Sequence, residues 1–113
     1  SQFRVSLQHW ANRNTRSGSR RNIAAHYDLG NDFYAQWLDP GMTYSAALFD
    51  RPGATLVEAQ DRKFQHLLEL LDPTPGAHIL EIGCGWGGFA EQAANEGRDV
   101  TGVTISRNQH SYA

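Results

Sequence analysis

The run Glu81-Ile82-Gly83-Cys84-Gly85-Trp86-Gly87 constrains this chain more than any other stretch, because it spells Glu-x-Gly-x-Gly-x-Gly between two elements of different type. Before it stands Ala77-His78-Ile79-Leu80-Glu81-Ile82, short and β-prone, and after it a helical stretch from Phe89 to Glu96 that Gly97 ends at the C′ position. Residues 98–104 read as a second strand, and Ser106 is placed to cap a further helix opening at Arg107. Strand, glycine turn, helix, strand is a βαβ unit, which requires a parallel sheet. Glycines at such a turn can take positive φ and let a ligand approach the backbone closely. The helix start adds unpaired N–H groups and a positive dipole end, both suited to an anionic group.

Upstream, the periodicity is helical. Ile23, Ala24, Tyr27, Phe33, Tyr34, Trp37 and Leu38 recur at helical spacings with a break at Gly30. Asn31 or Asp32 is expected to cap the second short helix, and Asp39-Pro40-Gly41 to end it. Met42-Thr43-Tyr44-Ser45 reads as irregular. Thr55-Leu56-Val57-Glu58 is a capping box, and Phe64, Leu67, Leu68 and Leu71 follow it as one apolar stripe. Pro73-Thr74-Pro75-Gly76 stops that helix. The expected organisation is a basic arm over 1–21, a helical cap on the substrate side over 22–72, and the glycine-turn domain from 73 to 113.

The formal charge of −2 hides an uneven distribution. The first 27 residues carry Arg4, Arg13, Arg16, Arg20 and Arg21 with no acid, while the rest carries five basic and twelve acidic side chains. A basic arm on an acidic body suits an anionic partner, a phospholipid surface or a nucleic acid, although a solvated arm has the same composition. Nucleic acid is the weaker reading, since Trp10 is the arm's one aromatic platform and no recognition module is present. No apolar run approaches the roughly 20 residues that cross a bilayer, and Ser1-Gln2-Phe3-Arg4-Val5 lacks a secretory pattern. With Cys84 the single cysteine, no internal disulfide can form. A cytoplasmic location is expected, with contact at the inner membrane face as a peripheral protein.

Two ligand classes compete for the glycine turn. A dinucleotide site needs an acid about 20 positions beyond the first glycine, to hold ribose hydroxyls; counting from Gly83 reaches Val103-Thr104, and neither is acidic. S-adenosyl-L-methionine fits better, because its amino acid end carries an ammonium and a carboxylate. Glu81 can serve the first, and backbone donors around Gly83 and Gly85 the second. A turn without ligand remains the plain alternative, and in it Cys84 and Trp86 simply pack. Cys84 has no neighbouring cation that would argue for a reactive thiolate.

Four stretches in order carry a family resemblance: Ala25-His26-Tyr27-Asp28-Leu29-Gly30-Asn31-Asp32-Phe33-Tyr34, Trp37 to Ser45, Leu80 to Gly88, and Val100 through Gln109. From about Asn22 to the last residue the chain resembles the cyclopropane-fatty-acyl-phospholipid synthases, which include the mycolic acid cyclopropane synthases. The resemblance implies an α/β fold, with a helical N-terminal segment leading into the first βαβ unit of a Rossmann-like S-adenosylmethionine-dependent methyltransferase. It implies that the cofactor's methyl group goes to a cis double bond of a lipid acyl chain, after which loss of a proton closes a cyclopropane ring. Relatives stop differently and make methyl-branched or oxygenated products.

The resemblance also assigns positions. Tyr44 and Ser45 are expected to reach the cofactor from the helical segment, and Glu81, Ile82, Gly83, Cys84, Gly85, Trp86 and Gly87 to form the loop beneath it. Thr104, Ile105, Ser106 and Gln109 are expected along its adenosine side, with Thr104 where other methyltransferases place an acid. Tyr44 taken alone also reads as a core aromatic, and His26 and Tyr27 as braces for the helical segment. No metal is expected. Many family members have Cys after the Tyr-Ser pair, where it helps bind a bicarbonate; here Ala46 stands there, which weakens that site or changes the product. The main catalytic residues, the remaining strands and most of the lipid tunnel are expected beyond Ala113. The isolated chain is therefore expected to be inactive and to self-associate or exchange elements between copies. The competing functions are a methyltransferase of the same fold acting on another lipid or small molecule, and a non-catalytic binding fragment.

Overall fold

The computed structural model describes residues 29–71 and 74–113. The expectations for the basic arm, for Ile23, Ala24, His26 and Tyr27, and for Pro73 as a helix stop lie outside these residues. In chain order the elements are α1 (Asn31–Tyr34), α2 (Leu56–Leu71), β1 (His78–Ile82), α3 (Gly88–Asn95), β2 (Asp99–Val103) and α4 (Arg107–Tyr112). β1 and β2 pair in parallel, with His78 opposite Asp99 and Ile82 opposite Val103. The βαβ unit forms as its glycine punctuation requires. Gly97 lies at φ 76° just past the α3 cap residue Glu96, the left-handed position at which helices commonly end.

Side chains alternate across the two strands. Ile79 and Val100, partners in the register, turn to the helical side and pack, as Phe64 does, on the cluster of Leu68, Phe89 and Ala93. Leu80 and Ile82 turn the other way and are 62% and 82% exposed. A second cluster joins Tyr34, Met42 and Trp86, with Leu38 against it. This cluster brings the segment around α1 onto the glycine turn, and so decides where the site lies.

The capping box at the start of α2 is present as the sequence requires. The Glu58 carboxylate accepts from the Thr55 N–H at 2.8 Å and from its hydroxyl at 2.9 Å, while Thr55 Oγ1 accepts from the Glu58 N–H at 3.3 Å. The apolar stripe is narrower than its periodicity suggests. Leu68 is buried and Phe64 half-buried, but Leu67 and Leu71 are largely exposed. The covered face rotates instead towards Ala59 and Gln60, both buried, because residues 43–45 as well as α3 lie against this helix.

α1 also departs from expectation at both ends. Its cap residue is Gly30, with no side-chain cap, and Asn31 is the first helical residue. The Asn31 side chain is committed elsewhere, accepting from Trp86 Nε1 at 2.8 Å. The helix ends at Tyr34 and continues as loose turns before Asp39. Among the described residues no helix is long and apolar enough to cross a membrane.

Candidate functional site

The end of β1 delivers an unusual group. Glu81 shares the helical side of the sheet with Ile79, and its Oε2 is shut away from solvent with no hydrogen-bond partner among the described residues. Burial holds its carboxyl above the usual carboxylate range. Leaving a buried acceptor unused costs about 1–3 kcal/mol, so this strand end wants a donor that the described residues do not supply.

The turn is held by backbone geometry. The N–H groups of Gly83 and Cys84 both donate to the Val103 carbonyl, at 2.7 and 3.1 Å. They bind the turn to the end of β2, so the Gly83 N–H is not free for an anion as the sequence suggested. The Gly85 N–H has no partner among the described residues, and Gly85 sits at φ 55°. Gly87, at φ 91°, is the cap residue of α3, and a Cβ there would stand 3.0 Å from that of Ala113.

Trp86 is buried, its ring centroid 5.0 Å from that of Tyr34. Tyr34 in turn meets Tyr44 edge-on at 5.8 Å. Cys84 faces Gly102, where an added Cβ would lie 2.9 Å from its sulfur. Burial, then the charge of Glu81, push the Cys84 thiol up, and a raised pKa makes it a poor nucleophile.

Past β2, Thr104 Oγ1 donates to Gln109 Oε1 at 2.7 Å and accepts from the Ser106 N–H at 3.2 Å. The hydroxyl thereby fixes the buried Gln109 amide, which no acid in that position would do in the same way. Ser106 Oγ accepts from the Gln109 N–H at 3.3 Å and caps α4.

The fourth side comes from residues 41–45. Asp39, buried, accepts from the N–H groups of Gly41 at 2.9 Å and Thr43 at 3.0 Å. The side-chain amide of Gln60 donates to the carbonyls of Thr43 at 3.3 Å and Ser45 at 2.9 Å. Met42 takes φ 53°, rare for a residue with a side chain, between these two anchors.

These parts enclose one cavity of about 710 Å³, within the range of small-molecule and cofactor pockets. Tyr44, Ser45, Glu81, Ile82, Gly83, Cys84, Gly85, Trp86, Thr104, Ile105 and Gln109 line it. Of the residues expected there, Gly87 and Ser106 do not; each acts as a helix cap. The wall also includes Met42, Thr43, Phe64, Gly88, Phe89 and Val103, which the sequence reading left out. Gly88 has a visible reason for its size, since a Cβ there would come within 3.1 Å of the Phe64 ring.

A family model described as mycolic acid cyclopropane synthetase matches residues 14–113. The chain belongs to that family. It is 46% identical over 91 residues to cyclopropane mycolic acid synthase 2 of Mycobacterium bovis, covering 80% of this chain and 30% of the relative. A probable fatty acid methyltransferase of Pseudomonas putida is 48% identical over 88 residues, covering 77% of this chain and 22% of the relative. Among solved structures, mycolic acid cyclopropane synthase CmaA1 complexed with SAH and CTAB superposes with a TM-score of 0.76 at 44% identity, over 82% of this chain and 33% of that one. The chain thus spans a third or less of the length of these relatives. The likeness to CmaA1 places its α/β architecture within the Rossmann-like methyltransferase fold.

Proposed function

We propose that this chain forms part of an S-adenosylmethionine-dependent methyltransferase acting on the cis double bonds of lipid acyl chains, with the cofactor held in the cavity above the glycine turn. The observation that carries the reading is Glu81 Oε2, a buried acceptor without a donor among the described residues, at the strand end that opens the turn. The cofactor's ammonium is a donor of the required kind, and its charge would offset the desolvation of Glu81. The unused N–H of Gly85 faces the opposite requirement, an acceptor. Phe64, Phe89, Ile82 and Ile105 supply apolar wall, and Gln109, fixed by Thr104, offers its amide N–H to the sugar side.

Bound there, S-adenosylmethionine supplies an electrophilic methyl group on a sulfonium. The chain's own part is to bind, orient and exclude water, since no nucleophilic side chain is needed for that transfer. The upward push on the Cys84 thiol pKa fits this division. Support for a lipid substrate is the naming of relatives as mycolic acid synthases and fatty acid methyltransferases. The basic arm over 1–21 suits a substrate in an anionic membrane.

A second reading keeps the fold and cofactor but changes the product, and Ala46 favours it. Its methyl group cannot donate a hydrogen bond to a bicarbonate base. Relatives at comparable identity carry names with different products, among them tuberculostearic acid methyltransferase UfaA1 and hydroxymycolate synthase MmaA4.

Isothermal titration of this chain with S-adenosylhomocysteine tests the cofactor site: saturable heat at one site per chain is expected, and its absence refutes the site. Lipid mass analysis in cells expressing the corresponding full-length protein tests the chemistry. Unsaturated acyl chains should gain one CH2 unit. Cleavage chemistry or separation on silver-loaded silica then tells a cyclopropane from a branched chain that keeps its double bond.

A further inference from the structure

We infer that Gln60 and Lys63 on α2 form a clasp that aims the Ser45 hydroxyl into the cavity as a donor to the carboxylate of the cofactor's amino acid end. The inference rests on the cofactor reading above and adds two positioning residues and a polarity to it.

The geometry is a closed set of bonds. Both hydrogens of the Gln60 amide are used, one on the Thr43 carbonyl at 3.3 Å and one on the Ser45 carbonyl at 2.9 Å. Its oxygen accepts from Lys63 Nζ at 2.6 Å, and the same ammonium donates to Ser45 Oγ at 2.7 Å. Gln60 is only 4% exposed, so a helical face that would otherwise be apolar is given over to holding three atoms of residues 43–45. A tether for the backbone needs Gln60 alone. Lys63 adds something that a tether does not require, a charged donor on the hydroxyl of a cavity residue.

That donor sets the direction of the hydroxyl. With Lys63 giving a hydrogen to Ser45 Oγ, the oxygen acts as acceptor on that side, and its own hydrogen is left to point away from the ammonium. Ser45 lines the cavity that Lys63 itself does not reach. The serine therefore carries the polarity of a partly buried cation to the cavity wall without placing an ammonium there. Lys63 sits 4.5 Å above the Phe64 ring, another lining residue, and its partial desolvation lowers its pKa against the opposing pull of Asp39. A positive wall at Ser45 and a negative one at Glu81 match a zwitterion, with the ammonium on the glutamate side and the carboxylate on the serine side.

Titrating two ligands into variants of this chain tests the assignment: S-adenosylhomocysteine, and its decarboxylated analogue, which keeps the amine and lacks the carboxylate. Lys63→Met and Ser45→Ala should each weaken the first ligand about tenfold, as one charge-assisted hydrogen bond is worth, and leave the second unchanged. The double variant should be no weaker than Ser45→Ala alone, because the lysine acts through the hydroxyl. Equal losses on both ligands, for Ser45→Ala in particular because its exposed side chain can be truncated without emptying the core, overturn the clasp as a carboxylate device. Failure of the unsubstituted chain to bind either ligand overturns the cofactor reading itself, and this inference with it.

Discussion

At Glu81 the strand ends in a carboxylate with one oxygen cut off from water and no donor among the described residues. Its raised pKa means that the folded chain holds a proton more tightly than the unfolded chain does. Between the ordinary carboxylate pKa and the raised one, the folded state binds more protons, so stability falls as pH rises through that window. Glu81→Gln removes the titration, and the variant should melt at a higher temperature than the unsubstituted chain at neutral pH. The same change should weaken S-adenosylhomocysteine, because an ionised partner for the ammonium is lost. Calorimetric melting and ligand titration at neutral pH check the two directions together; a destabilised Glu81→Gln would show that the carboxylate has a partner in the free protein. Glu81 and the glycines were legible in the sequence because their roles follow from backbone geometry at a strand end. Gln60 and Lys63 were not. Polar residues on a helix ordinarily read as a solvated face, and their meaning here depends on contacts 15 to 18 residues back along the chain.

α2 shows how far local rules reach in an element. Thr55 and Glu58 cap it through bonds within four residues, so the start of the helix could be placed from the sequence. Thr55→Ala should lower stability by about 1 kcal/mol, the usual worth of such a cap, as read by urea unfolding at unchanged m-value. An unchanged midpoint would mean that α2 is held by packing alone. Which face the helix buries was less legible, since the stripe at Phe64, Leu67, Leu68 and Leu71 defines a face by period while the neighbours decide how much of it is covered. Residues 43–45 shift the covered side towards Ala59 and Gln60, and Leu67 and Leu71 are left outside. α1 fails in the opposite direction: Asn31 has the chemistry of a cap, but the Trp86 indole, 55 residues away, claims its side chain.

For the molecule as a whole, the two strands have one covered face and one open face. Leu80, Ile82 and Val103, with Ile105 just past β2, are all substantially exposed, and an apolar surface of this kind promotes association in water. The 113-residue chain should therefore sediment as more than a monomer at micromolar concentration, and Ile82→Lys should shift it towards the monomer. A monomeric unsubstituted chain in analytical ultracentrifugation would count against this. The parallel pairing behind that face was legible from the βαβ order alone, whereas the cavity needed the helical segment to fold back onto the turn. Trp86 is where the two meet. Its indole is 5% exposed, packs on Tyr34 and forms part of the cavity wall, while Trp37 is half exposed to solvent. Trp10 is a third emitter, so in a Trp10→Phe variant the two remaining rings emit from different surroundings, and quenching by iodide, which reaches the outer ring first, separates their signals. The glycine turn thus carries a built-in optical gauge, and with Trp10 replaced the blue-edge emission of the chain should report what enters the cavity without any added label.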